Sequence, residues 1–174
     1  MSAYTIGVQL IGFIGTAFLV LSFQMKKTGS LFLMQLCGNA CYAIQFFLLG
    51  TLTGCVSQGV GMLRNIFLIR KWKWMAWKGW AALLIALQVA ITCFTWVNAF
   101  SLLPLIANAA AIIGGWTKNA KKVRIANMFF NSPAWLIYDI YAWSISGILC
   151  ELFTQVSTII SIRRYGWKAL DTTD

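Results

Sequence analysis

Arg64, Asp139 and Glu151 are ionisable side chains set inside otherwise apolar runs. Such groups are expensive in hydrocarbon, about 2.5 to 3.5 kcal/mol each on insertion scales, and are normally received by protein or by a wet cavity. Glu151 lies about seven residues from one end of its run and about twelve from Arg163, which puts it roughly 10 and 18 Å from the two ends of a helix rising about 1.5 Å per residue. Gln155 and Thr158 follow it at helical spacing and extend one polar stripe. Arg64 lies about six residues, roughly 9 Å, inside the end of its own run, about 100° around the helix from Asn65. Three placements are open to it: lining a cavity, pairing with Glu151, or reaching the headgroups along a helix interface. A pair would keep Glu151 ionised, whereas an unpaired Glu151 is free to carry protons. Asp139, flanked by Tyr138 and Tyr141 about one turn from a helix end, is expected to reach the outer headgroups as a structural residue.

Other chemistries find little material. There is no histidine and no CxxC pair, and Cys37, Cys41, Cys55, Cys93 and Cys150 all fall in apolar runs, so they are expected to be small buried hydrophobes rather than metal ligands. No metal site, no cofactor and no enzymatic activity is expected, since no acid pair or metal motif is visible. Asn39, Asn108, Asn127, Asn131, Gln35 and Gln45 suit hydrogen bonds between helices. Pro104 and Pro133 are candidate hinges, because a proline frees a backbone carbonyl and lets a helix bend.

The elements that hold these residues are written in the composition. Of the 174 residues 60% are hydrophobic and 10% charged, with nine tryptophans, so lipid rather than water is the main solvent. The fold class is an all-α integral membrane protein, one membrane domain over residues 1–174. Seven runs are long enough to span, at approximately 7–24, 31–50, 51–69, 79–97, 99–116, 125–143 and 144–162. The first run lacks a basic leader and reads as a retained helix rather than a signal peptide. The junctions GTLTG at 50–54 and WSISG at 143–147 supply the small residues of tight helical hairpins.

The net charge of +10 does not describe a nucleic-acid partner, because its cations lie in short connectors and not on one basic face. Thirteen of the fourteen basic residues follow odd-numbered runs: Lys26 and Lys27; Arg70, Lys71, Lys73 and Lys78; Lys118, Lys121, Lys122 and Arg124; Arg163, Arg164 and Lys168. Cytoplasmic loops gather Lys and Arg, so the N-terminus is expected outside and the C-terminus in the cytoplasm, with anionic headgroups as partners at the cytoplasmic face. Lys71, Trp72, Lys73, Trp74, Trp77, Lys78 and Trp80 form a basic aromatic connector suited to that layer.

A shift of 93 residues lays TLTGCVSQ at 51–58 on SISGILCE at 144–151, and IRK at 69–71 on IRR at 162–164. The chain then reads as two parallel three-helix repeats, 7–70 and 99–163, joined by a linker helix at 79–97. The shift places Gln58, Met62 and Asn65 opposite Glu151, Gln155 and Thr158, so polar groups from both copies should meet near mid-membrane.

This 3+1+3 plan resembles the SWEET and PQ-loop superfamily. The order FFLLGTLTG, RNIFLIRK, SLLPLIA and SISGILCELF ending in IRRYG is similar to the YgjV family of bacterial inner-membrane proteins. The Pro-Gln dipeptide of PQ-loop proteins is replaced by Ser22, Phe23 and Gln24 in the first helix and by Gly115 and Trp116 in the fifth. The resemblance implies an inner-membrane location and a pocket between the triplets for an unknown small molecule. Two functions are expected to compete: a small-molecule transporter or exporter rocking around Gln58, Arg64, Asn65, Glu151, Gln155 and Thr158, and a non-transporting membrane receptor or assembly partner.

Overall fold

A computed structural model describes residues 3–69 and 73–171. Arg70, Lys71 and Trp72 of the basic connector lie outside the described residues. Each apolar run forms helix: α1 Ala3–Ser22, α2 Thr28–Leu48, α3 Leu52–Ile69, α4 Gly79–Phe94 and α5 Leu102–Trp116. Next come α6 Ala120–Ala126, a π turn Asn127–Asn131 and α7 Ser132–Tyr141 without a break, then α8 Ile145–Tyr165 and the short α9 Trp167–Leu170. Short polar side chains start several of these elements. Asn119 accepts from the amides of Lys121 and Lys122 at 3.0 and 3.1 Å, and Ser144 accepts from Gly147 at 3.1 Å, which satisfies amides that a helix start leaves unpaired.

Among the described residues five helices are long and apolar enough to cross a membrane, namely α1, α2, α3, the stretch Ala99–Trp116 and α8. The other two expected spans differ from that description. α4 is an apolar helix of 16 residues, and the sixth begins at Ala120, five residues before the expected start, because Asn119 caps it there. Its middle is the π turn: the Ser132 amide reaches back to the carbonyl of Asn127 and skips that of Met128. Pro133 follows at the second position of α7, where the wide turn absorbs its missing donor. Pro104 sits in the first turn of α5, just after the short 3-10 turn Ala99–Ser101, where an absent N–H costs little.

The two hairpin junctions share one cap. Gly50 and Thr51 donate to the carbonyls of Phe47 and Phe46 at 3.1 and 2.9 Å; Trp143 and Ser144 donate to Ile140 and Asp139 at 3.3 and 2.9 Å. These pairs correspond under the 93-residue shift. Gly50 has φ 74° and Trp143 φ 53°, the left-handed conformation that closes such a cap. The ends of α1 and α5 also match: Gln24 and Met25 donate to Leu21 and Ser22, as Thr117 and Lys118 donate to Gly114 and Gly115.

Within the bundle α2 packs on α1 and α3, while α5 packs on the α6–α7 rod and α7 on α8. The two groups meet along α1 with α8 and along α3 with α5, and α4 leans on α3 and α5. Among the described residues more of the buried side chains are polar than apolar, while Leu10, Ile14, Ile113, Phe153 and Val156 point outward. This inverted distribution is what lipid solvation allows, because the outer surface needs no polar shell and amides inside tie helix to helix.

Candidate functional site

One cavity runs between the helices, from an aromatic end near the Gly50 and Trp143 junctions toward a basic end near Lys27 and Lys122. Tyr42, Phe46 and Trp135 line its junction end, and Phe23, Phe32 and Val123 its basic end. Its water-accessible volume is about 60 Å³, room for roughly four waters at about 15 Å³ each.

Arg64, Asp139 and Glu151 all line this cavity, with Gln35, Asn39, Gln58, Asn108, Asn127 and Asn131 between them. Arg64 is 6% exposed; its Nε donates to Asn65 at 3.1 Å and one terminal nitrogen to Gln35 at 3.3 Å. Of the three placements open to it the structure takes the cavity, and no Arg64–Glu151 ion pair forms among the described residues, where the ion pair is Lys121–Asp171. Asp139 corrects the expectation of a headgroup contact. It is 2% exposed and turned inward, because Gly147 on the facing helix leaves the space its carboxyl fills. Oδ1 of Asp139 and Oε2 of Glu151 have no hydrogen-bond partner, and the two residues are near enough to interact electrostatically. That acid pair is invisible in the sequence, where its members stand on different runs.

The predicted set divides. Gln58, Arg64 and Glu151 share the cavity, and Asn65 stands directly behind Arg64 as its acceptor. Gln155 instead braces a neighbour. Its Nε2 donates at 2.9 Å to the Met128 carbonyl that the π turn leaves unpaired, so it holds the sixth helix in shape. Thr158 is fully buried and donates to the Thr154 carbonyl of its own helix at 2.8 Å, so the cavity is lined by Thr154 instead.

Polar ties close the helix pairs around the cavity. On the junction side the Gln9 Oε1 accepts from Gln45 at 3.1 Å and from the Ser146 amide at 3.1 Å, while Thr16 and Tyr42 both reach the Ser146 carbonyl at 3.2 Å. Asn108 donates to the Ser57 carbonyl at 2.8 Å and to Gln88 at 2.9 Å, linking α3, α4 and α5. At the basic end Arg124 is fully buried, not a headgroup contact as its place among the connector charges implied. It donates to the Phe23 and Met25 carbonyls at the end of α1, to Ala120 and to Ser161 on α8, at 2.9 to 3.2 Å. A guanidinium suits that place, since it carries five donors and a positive charge at the negative end of a helix dipole.

The model of the Imp-YgjV family, described as bacterial inner membrane protein, matches residues 6–168. The chain belongs to this family. Together with the apolar helices this makes it a multi-pass inner membrane protein. No curated protein and no solved structure matches the chain.

Proposed function

We propose that this Imp-YgjV protein is a small-molecule transporter or exporter whose substrate path is the polar cavity, worked by alternating access of two parallel three-helix units around it. The units are residues 7–70 and 99–163, joined by the helix at 79–97, in a seven-span arrangement with the N-terminus outside and the C-terminus in the cytoplasm. The observation that carries the reading is the convergence of Arg64, Asp139 and Glu151 on one cavity with two carboxylate oxygens unsatisfied. Groups kept only for packing are normally paired, and a purely structural core would spend these charges on one another.

Several features support the architecture. The junction and helix-end hydrogen bonds recur at the repeat spacing, and the contact of α1 with α8 has its counterpart in that of α5 with α3. Gln58 and Glu151, equivalent in the two copies, share the cavity. In the sequence the basic residues outside the apolar runs follow the odd-numbered runs, which favours a cytoplasmic C-terminus. Resemblance to SWEET proteins agrees with a pocket in this place. At the interface, exposed Trp74 and Trp77 beside the stacked Phe67 and Trp80 suit anchoring in anionic headgroups.

The test is ligand-dependent thermal stabilisation of the purified protein against a panel of charged and polar metabolites, followed by flux of any hit in proteoliposomes. A stabilising compound that also crosses the liposome membrane with saturation supports transport. Binding without flux would replace it with the receptor reading.

A further inference from the structure

We propose that the junction end of the cavity is a binding site for a small organic ammonium ion, with Asp139 and Glu151 as its counter-charges. The inference deepens the transport reading, since it assumes that the cavity is the substrate path. Two carboxyls at 2% and 8% exposure line the same cavity, and each keeps one oxygen without a hydrogen-bond partner. A carboxylate oxygen left without a donor in low dielectric is costly, so the pair favours a positively charged donor between them. The guanidinium nearest in the sequence pattern is not that donor, because Arg64 is held on Gln35 and Asn65.

The walls select the kind of cation. Tyr42, Phe46 and Trp135 line the same end, with Phe46 stacked on Trp135 at 5.8 Å between centroids. Aromatic walls attract weakly hydrated organic cations and offer nothing to replace the tight water shell of a metal ion. Asn39 and Gln58 add amide oxygens that can accept further N–H groups. Arg64 stands about 9 Å deeper than Glu151, counting about six residues of helix from its partner position Gln58, and repels a second cation from the basic end. The other titratable groups near the carboxyls are Tyr42 from α2, Tyr138 from α7 and Cys150 beside Glu151 on α8; α1 and α5 present Leu19, Phe23, Asn108 and Ala111, which carry no charge.

The experiment uses the full chain in detergent, with melting followed by tryptophan fluorescence in methylammonium chloride, sodium chloride and sodium acetate at matched ionic strength. Methylammonium should raise the melting temperature with saturation, well beyond the two sodium salts. Asp139→Asn and Glu151→Gln should each weaken the apparent affinity at least tenfold. If either variant fails to fold, Trp135→Leu supplies the same loss through the aromatic wall. Equal stabilisation by sodium, stabilisation by acetate alone, no response to methylammonium, or a response that survives both carboxyl variants would overturn the site. Saturable flux of a neutral or anionic solute without methylammonium binding would also sink it and leave transport standing; methylammonium binding without flux would keep the site and remove transport.

Discussion

Gly50 and Trp143, 93 residues apart, hold the same left-handed backbone conformation, φ 74° and 53°, at the caps of α2 and α7. Only the first is a residue that adopts it freely. In detergent, Trp143→Gly should therefore stabilise the protein by about 1 kcal/mol, since its ring is 82% exposed, and Gly50→Ala should destabilise it by a similar amount. No atom lies within 4 Å of a Cβ added at Gly50, which leaves backbone strain as the cause. Two melting curves of opposite sign are the check.

Gly12 packs directly on the Ser146 hydroxyl and the Gln45 amide, and an added Cβ would overlap both. Gly12→Ala should force α1 from α8 and cost roughly 1 to 3 kcal/mol, as overpacking does. Gly7→Ala, with open space around it, should be near neutral in the same thermal assay.

Removing the Arg124 guanidinium strands the carbonyls at the end of α1 and the Ser161 hydroxyl. Arg124→Met should lower stability by about 3 kcal/mol, because hydrogen bonds to a charged donor are worth more than neutral ones. Arg163→Met, exposed at the same end, should change the melting temperature little.

Asp171 anchors the C-terminal turn by accepting from Asn119 at 2.9 Å and from Lys121 at 3.1 Å, and these donors hold its carboxyl below the ordinary value of 3.8. A depressed carboxyl contributes its tie fully above the unfolded value and loses it as pH falls through the lower folded one. Proteolysis of the segment 167–171 should therefore stay constant from neutral pH down to about pH 5 and accelerate only below the ordinary aspartate range. Asp171→Asn should show fast cleavage at every pH.

Reporters fused after Lys122 and at the C-terminus should read cytoplasmic, and one near Asn98 external. An external C-terminus would remove both the sidedness and the parallel repeat.

Much of the architecture is legible in the sequence because hydrocarbon imposes long apolar runs, and the 93-residue echo points to the paired caps. Gln58, Arg64 and Glu151 are legible for a related reason, since polar residues deep in such runs have few places to go. Asp139 is not, because nearness to a helix end suggests snorkelling, and only the gap left by Gly147 on another helix turns it inward. Arg124 reads with its neighbours as a connector charge, whereas the helix starts at Asn119 and draws that one cation into the bundle. Gln155 reads as a cavity residue because nothing in its own run announces a wide turn in the helix beside it.

That wide turn also fixes the angular phase of everything after it. A π turn carries one residue more than an α turn, and one residue is about 100° of rotation. Trp135 and Asp139 therefore meet the cavity with an orientation that a regular helix through Asn127–Asn131 would deny them. Deleting a single residue there would leave a continuous helix of nearly the same length, yet swing both side chains toward a neighbouring helix or the lipid. Gln155, donating to the Met128 carbonyl from the neighbouring helix, thereby holds the phase at which Trp135 and Asp139 are presented.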